Sequence, residues 1–199
     1  MLQVQEGRPA PNIEQVERKR RLRLVVIVYP FALTLIALAA NVFLLGIAPL
    51  AMALPSQEVV AVLAASAVLL LVNHSWLMTQ TELTRSRYDL YATPEEWQAA
   101  RKESAKASAE GIAEVGRCQN AHRNTTENAV YFVFLAGLMA FVTPSFPAVV
   151  AWIGGFGLAR LGYSYAYLSG RSGMRGAFMS LGLLSLYGLA SYLVLALLH

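Results

Sequence analysis

The chain is short of the residues from which disulfides, metal centres and soluble surfaces are built. Of its 199 residues one is cysteine, Cys118, which excludes an intrachain disulfide and a cysteine-rich metal site. Its 3 histidines, His74, His122 and His199, are scattered and show no metal-ligand spacing. Charged residues make up only 14%, where a soluble domain averages about 25%. The sequence has no low-complexity tract, no clear internal repeat and no separate soluble domain. What it has instead is hydrophobic residues, 56% of the chain, with a mean hydropathy of +0.48. That composition is one of an integral membrane protein. The net charge of +4 raises the question of nucleic-acid binding, and the placement of the bases argues against it.

A polar segment, 1–23, ends in the run Arg18-Lys19-Arg20-Arg21, with Arg23 just beyond. Five apolar blocks follow, at 24–54, about 57–80, about 113–142, about 147–168 and about 174–198. A membrane helix needs about 20 residues, so each block predicts a span and the fold class is all-α. The first block is too long for one straight helix. Pro30, Gly46 and Pro49 predict a kink or an early end there. Its apolar run also outlasts the roughly 7–15 residues of a signal h-region, so it is expected to be retained. With the N-terminus cytoplasmic, segments 1–23, 81–112 and 169–175 lie inside and hold the loop bases from Arg8 to Arg175. The opposite loops, 55–56 and 143–146, hold no Lys or Arg. The bases therefore orient the chain by the positive-inside rule and can meet anionic lipid.

Segment 81–112 is the one sizeable stretch outside the apolar blocks after the N-terminus. Within it Thr93-Pro94-Glu95-Glu96 reads as an N-cap, a proline in the first turn and two acids at the positive end of a helix dipole. A short surface helix is predicted over about 94–108.

The third block opens on Arg-Cys-Gln-Asn-Ala-His-Arg-Asn-Thr-Thr-Glu-Asn, residues 117–128. At about 100° per residue, Arg117, Asn120, Arg123, Asn124, Glu127 and Asn128 fall within about 140° of arc. One polar stripe thus runs along an otherwise apolar helix. A charge at the bilayer centre costs roughly 3 kcal/mol, so the stripe is expected to face protein, water or a ligand. The fourth block adds Arg160, Tyr163 and Tyr167 on one face, with Tyr165 pointing elsewhere. These groups, together with Arg85 and Arg87 and the linker Ser169–Arg175, converge on the cytoplasmic half of a bundle. Arginines give bidentate bonds to carboxylates, and Glu127 can accept from an ammonium group. The inventory suits a small multi-carboxylate ligand. Structural glue is the competing reading, with Arg117 or Arg123 paired to Glu127. Cys118 reads as a small packing residue. His122 lies off the stripe and reads as a helix contact or headgroup contact, and His74 as a hydrogen bond to a neighbouring helix.

Arg117, Ala121, His122, Asn124 and Glu127 resemble the signature of the membrane-associated proteins in eicosanoid and glutathione metabolism, the MAPEG family. They are most similar to the microsomal glutathione transferases and prostaglandin E synthase. Arg160, Tyr163 and Tyr167 further resemble the leukotriene-forming branch. The resemblance covers about 57–198. It implies a four-helix membrane bundle in a homotrimer, with glutathione between neighbouring subunits near the cytoplasmic face. On this resemblance Arg85, Arg123, Asn124, Glu127, Tyr163 and Tyr167 line the glutathione site. Arg175 matches the arginine that stabilises the thiolate, and Arg171 competes for that role. Gly176 stands where the prostaglandin synthase has a serine, Tyr163 where it has a histidine, and Asn120 where an arginine is common. The block at 24–54 is an extra membrane helix by this standard, free to pack outside the trimer, cover an entrance from lipid or dock a membrane partner.

The implied activity is that of a membrane-bound glutathione transferase or peroxidase, with glutathione as co-substrate and a lipophilic electrophile arriving through the bilayer. No metal and no nucleic acid enter it. The alternatives are a non-enzymatic lipid-binding protein of the same fold and an accessory or scaffold subunit of a membrane complex.

Overall fold

The computed structural model describes residues 13–198, so the first 12 residues of the basic segment, Arg8 among them, and His199 lie outside the described part. Helix α1 spans Ile13–Ala40 and runs into a π turn, Asn41–Leu45. It ends at Gly46, which takes a positive φ of 72°, so the 24–54 block stops being helical well before its end. Pro30 sits inside α1 and does not end it. Helix α2 is Gln57–Arg87, capped by the Ser56 hydroxyl, which accepts from the Val59 N–H. Helix α2 thus continues past the apolar block into the segment read as a loop.

The short helix α3 is capped as its sequence requires. The Thr93 hydroxyl accepts from the Glu96 N–H, with Pro94 in the first turn. It ends at Ala99, however, and does not reach 108. Arg101 adopts a left-handed φ of 55°, which breaks the helix, and a single 3-10 turn, Ser104–Lys106, leads on. Helix α4, Ala109–Ala140, is capped by Ser108 and carries the polar motif. Helix α5 is only Phe146–Ala148; it passes through a π segment, Val149–Gly154, into α6, Gly155–Leu168. Helix α7 is Ser172–Leu198.

Among the described residues, four helical stretches are long and apolar enough to cross a membrane: Glu14–Leu45, Gln57–Arg87, Phe146–Leu168 and Ser172–Leu198. The polar first half of α4 keeps it out of that set, yet it packs along α2, α6 and α7. Large apolar side chains face outward along the bundle, among them Val26 and Phe31 on α1, Leu71 on α2 and Phe134 on α4. An apolar exterior of this extent fits lipid, not water.

The apolar core fills the half of the bundle away from the polar motif. Phe132 stacks on Phe156 at 4.2 Å, and Met139, Ile153, Leu189 and Tyr192 close around them. At the π segment the Ser66 hydroxyl of α2 donates to the Ile153 carbonyl at 2.9 Å. At the end of the bundle where α1 and α4 finish, the Tyr192 hydroxyl accepts from the N–H groups of Ala48 and Ser145. That end is thereby closed by backbone held on one tyrosine.

Helix α1 is part of the same body. Its seam of Leu33, Ala37 and Asn41 is buried, at helical spacing, against α7. Asn41 is fully enclosed: its amide donates to the Gly188 carbonyl and the Ser191 hydroxyl, and its oxygen accepts from Trp152 Nε1 at 2.7 Å.

Candidate functional site

The cavity of interest lies where α4, the end of α6 and the start of α7 meet. Ala113, Gly116, Arg117 and Asn120 line it from α4 at the i, i+3, i+4 and i+7 positions of one face. Ala166, Tyr167 and Gly170 close a second side, and Ser172 and Arg175 a third. Its volume is about 490 Å³. Two guanidinium groups line it and no carboxylate does.

Local chain chemistry shapes this cavity. Helix α6 ends in a Schellman motif: the Arg171 N–H donates to the Ala166 carbonyl and the Gly170 N–H to the Tyr167 carbonyl. Gly170 takes φ 68°, a left-handed value that glycine adopts without strain. Its missing side chain also leaves room for Arg117, whose Nη1 lies 3.2 Å from where a Cβ would stand. The sharp reversal starts α7 two residues later and brings Arg175 back over Tyr167, with its guanidinium carbon 5.1 Å from the ring centroid. Arg171 goes the other way, onto the exposed Tyr165 ring at 5.4 Å, and does not line the cavity. Of the two arginines that the sequence left as rivals for one role, Arg175 is the one on this cavity.

The other residues singled out from the sequence separate into groups. Asn124 is half-buried, and its oxygen accepts from Arg160 Nη1 at 3.1 Å. Arg160 is fully buried and meets no carboxylate among the described residues; its Nε has no hydrogen-bond partner. The faces of Tyr163, at 4.7 Å, and Phe156, at 5.6 Å, supply cation–π contacts in place of an anion. Arg160 and Tyr163 were expected to face the ligand beside Tyr167. They lie within the bundle instead, because their side of α6 turns into the packed interior, and only Tyr167 reaches the cavity. Tyr163 and Tyr167 still touch, with ring centroids 5.5 Å apart.

The stripe on α4 is wider than one helix contact. Its Arg117–Asn124 edge meets α6 and the cavity. Its other edge, Arg123 and Glu127, faces outward, with side chains 72% and 64% exposed and a loose pairing of 3.9 Å. Arg123 also donates to the Asn120 oxygen at 3.1 Å. Arg85 is occupied by Glu82 one turn earlier, at 2.7 Å, and does not line the cavity. Arg117 pairs with Glu114 at 3.2 Å and not with Glu127. Arg117 and Asn120 were visible in the stripe but were not among the residues that the resemblance implies for the glutathione site; Ser172 carried no sequence signal of its own.

His122 and His74 behave as expected of residues off the stripe. His122 Nε2 and His74 Nδ1 lie 2.8 Å apart and join α4 to α2. Cys118 is buried beside Thr84 at 3.8 Å, a packing position.

No curated protein matches the chain. The model of the MAPEG family matches residues 59–195, more than half of its length, and takes in the cavity and the polar face of α4 while leaving α1 outside. A helical membrane bundle, the motif on α4 and this match agree: the chain is a member of the MAPEG family.

Proposed function

We propose that the protein is a membrane-bound glutathione transferase or peroxidase, and that the cavity between α4, α6 and α7 is where the thiol is activated. The observation that carries this is the pairing of Arg175 with Tyr167 on an acid-free cavity that also holds Arg117 and Asn120. A thiol has a reference pKa of about 8.5 and is mostly protonated at neutral pH, while the thiolate is the nucleophile. A guanidinium beside the sulfur favours the ionised form. In conjugation the thiolate forms a carbon–sulfur bond to the electrophile and the leaving group departs with the electron pair. In the peroxidase reaction two thiols are oxidised to a disulfide while a hydroperoxide is reduced to an alcohol and water.

Glutathione also carries two carboxylates and an ammonium group. Arg123 and Glu127 supply a matching charged pair on the outward edge of α4, Asn124 adds an amide on its inward edge, and Arg85 and Tyr163 stand near that end of the bundle. Membership of the family implies a homotrimer with the ligand between copies, and the outward-facing charged pair on α4 fits a surface covered by a second copy. The positive-inside rule puts this end in the cytoplasm.

The test is direct. Detergent-purified protein is expected to be stabilised against heat by glutathione and to turn over a chlorinated dinitrobenzene or a lipid hydroperoxide. If purified trimer shows neither stabilisation nor turnover, the enzymatic reading fails. Stable copurification with other membrane subunits in that case points to an accessory role.

A further inference from the structure

Helix α1 lies outside the region matched to the family, yet it reaches the turn that carries Arg175. The Tyr29 hydroxyl donates to Ser180 Oγ at 2.7 Å. The Ser180 hydroxyl in turn donates to the Gly176 carbonyl at 2.9 Å, and Gly176 follows Arg175 directly. We infer that Tyr29 is a positioning residue for Arg175, acting through Ser180 on the first turns of α7. This rests on the role given to Arg175 above.

Three observations carry it. A serine hydroxyl has one proton and two acceptor sites. Once Tyr29 donates to Ser180, the serine proton is fixed on the Gly176 carbonyl, a back-bond of the kind that bends a helix. Secondly, residues 172–177 are exposed, so the start of α7 has little packing of its own. Thirdly, α1 is not free to follow that turn. Asn41, three turns beyond Tyr29, is locked by hydrogen bonds to Gly188, Ser191 and Trp152. That lock depends on Gly188, where an added Cβ would stand 2.3 Å from the Trp152 ring. Anchored at Asn41, α1 holds Tyr29 at a set height on α7. The extra helix is therefore a strut for the site and not merely a surface for lipid or partners.

The experiment uses the full chain with Tyr29→Phe and Ser180→Ala, singly and together. Turnover at saturating glutathione is expected to fall about threefold to tenfold in each single variant, the range set by one hydrogen bond. The KM for glutathione is expected to stay within about twofold, since no binding group is removed. Amide hydrogen exchange of residues 173–177 is expected to quicken in the same variants. Tyr29→Phe is expected to add nothing once Ser180 is alanine, because the two act as one chain. Wild-type turnover and exchange in Tyr29→Phe would overturn the inference, as would full additivity in the double variant. A wild-type protein inactive with glutathione would count against the proposed function alone; the exchange measurement would still decide whether Tyr29 holds this turn.

Discussion

Replacing Arg175 by alanine should change how the reaction depends on pH, and not only how fast it runs. Arg175 lines the cavity, and no carboxylate pairs with it among the described residues. The second guanidinium there, Arg117, is partly neutralised by Glu114 at 3.2 Å. Arg175 is thus the stronger source of positive potential. A cation within about 4–6 Å lowers an acid's pKa by about 1–3 units. A shift of about 2 takes a thiol from about 8.5 to about 6.5. At pH 7 the ionised fraction then rises from about 3% to about 75%. Removing Arg175 should therefore slow the reaction about 25-fold at pH 7. The deficit should shrink as pH rises and nearly vanish by about pH 9.5, where either thiol is ionised. The assay is a pH–rate profile for conjugation at saturating glutathione, with ultraviolet absorbance reporting bound thiolate. A variant profile parallel to the wild type at every pH would refute the argument, because the loss would then have nothing to do with ionisation.

Arg171→Ala should leave turnover within about twofold, since its guanidinium lies on Tyr165 and not on the cavity; a loss as deep as that of Arg175→Ala would reassign the key arginine. Asn124→Leu should cost about 2 kcal/mol in thermal or denaturant unfolding, because it strips the buried Arg160 of its oxygen acceptor. An unchanged melting temperature would show that the aromatic faces alone hold the guanidinium. Asn41→Leu should cost about 2–3 kcal/mol by leaving Trp152 Nε1 buried without an acceptor, and differential scanning fluorimetry in detergent reads the loss. Exchanging the charges, Arg123→Glu with Glu127→Arg, should abolish glutathione binding by calorimetry. Retained binding would show that the two residues matter only to each other.

Much of the architecture was legible because hydrophobic length is a strong signal in a membrane chain. The helix ends were legible where the chemistry is local, as at Thr93-Pro94 and Gly46. The sequence did not reveal the break after Ala99, because a left-handed arginine at 101 has no residue-type signature. At the site, the α4 stripe predicted which residues share a face but not how that face is divided. A face about 140° wide is broader than a single neighbour covers, and only packing tells which edge turns in. The same blindness grouped Arg160 with Tyr167. Spacing put them on one side of α6, whereas the depth of the bundle separates a fully buried guanidinium from a ring at a cavity wall.

That division of the α4 face bears on how the protein works. Just beyond Arg123 and Glu127, the same helix exposes Val130, Tyr131, Val133 and Phe134, side chains suited to lipid or to another protein. A loose ion pair in water contributes at most about 1 kcal/mol, while charges set in the bilayer cost roughly 3 kcal/mol each. Self-pairing at 3.9 Å therefore cannot explain why these two charges sit beside an apolar belt. Burial against a second copy, with an ionic ligand to satisfy what remains, removes the conflict. On the proposed function, the inward edge of α4 would serve the thiol end of the ligand and the outward edge its charged ends, and the breadth of the stripe would match the length of that molecule.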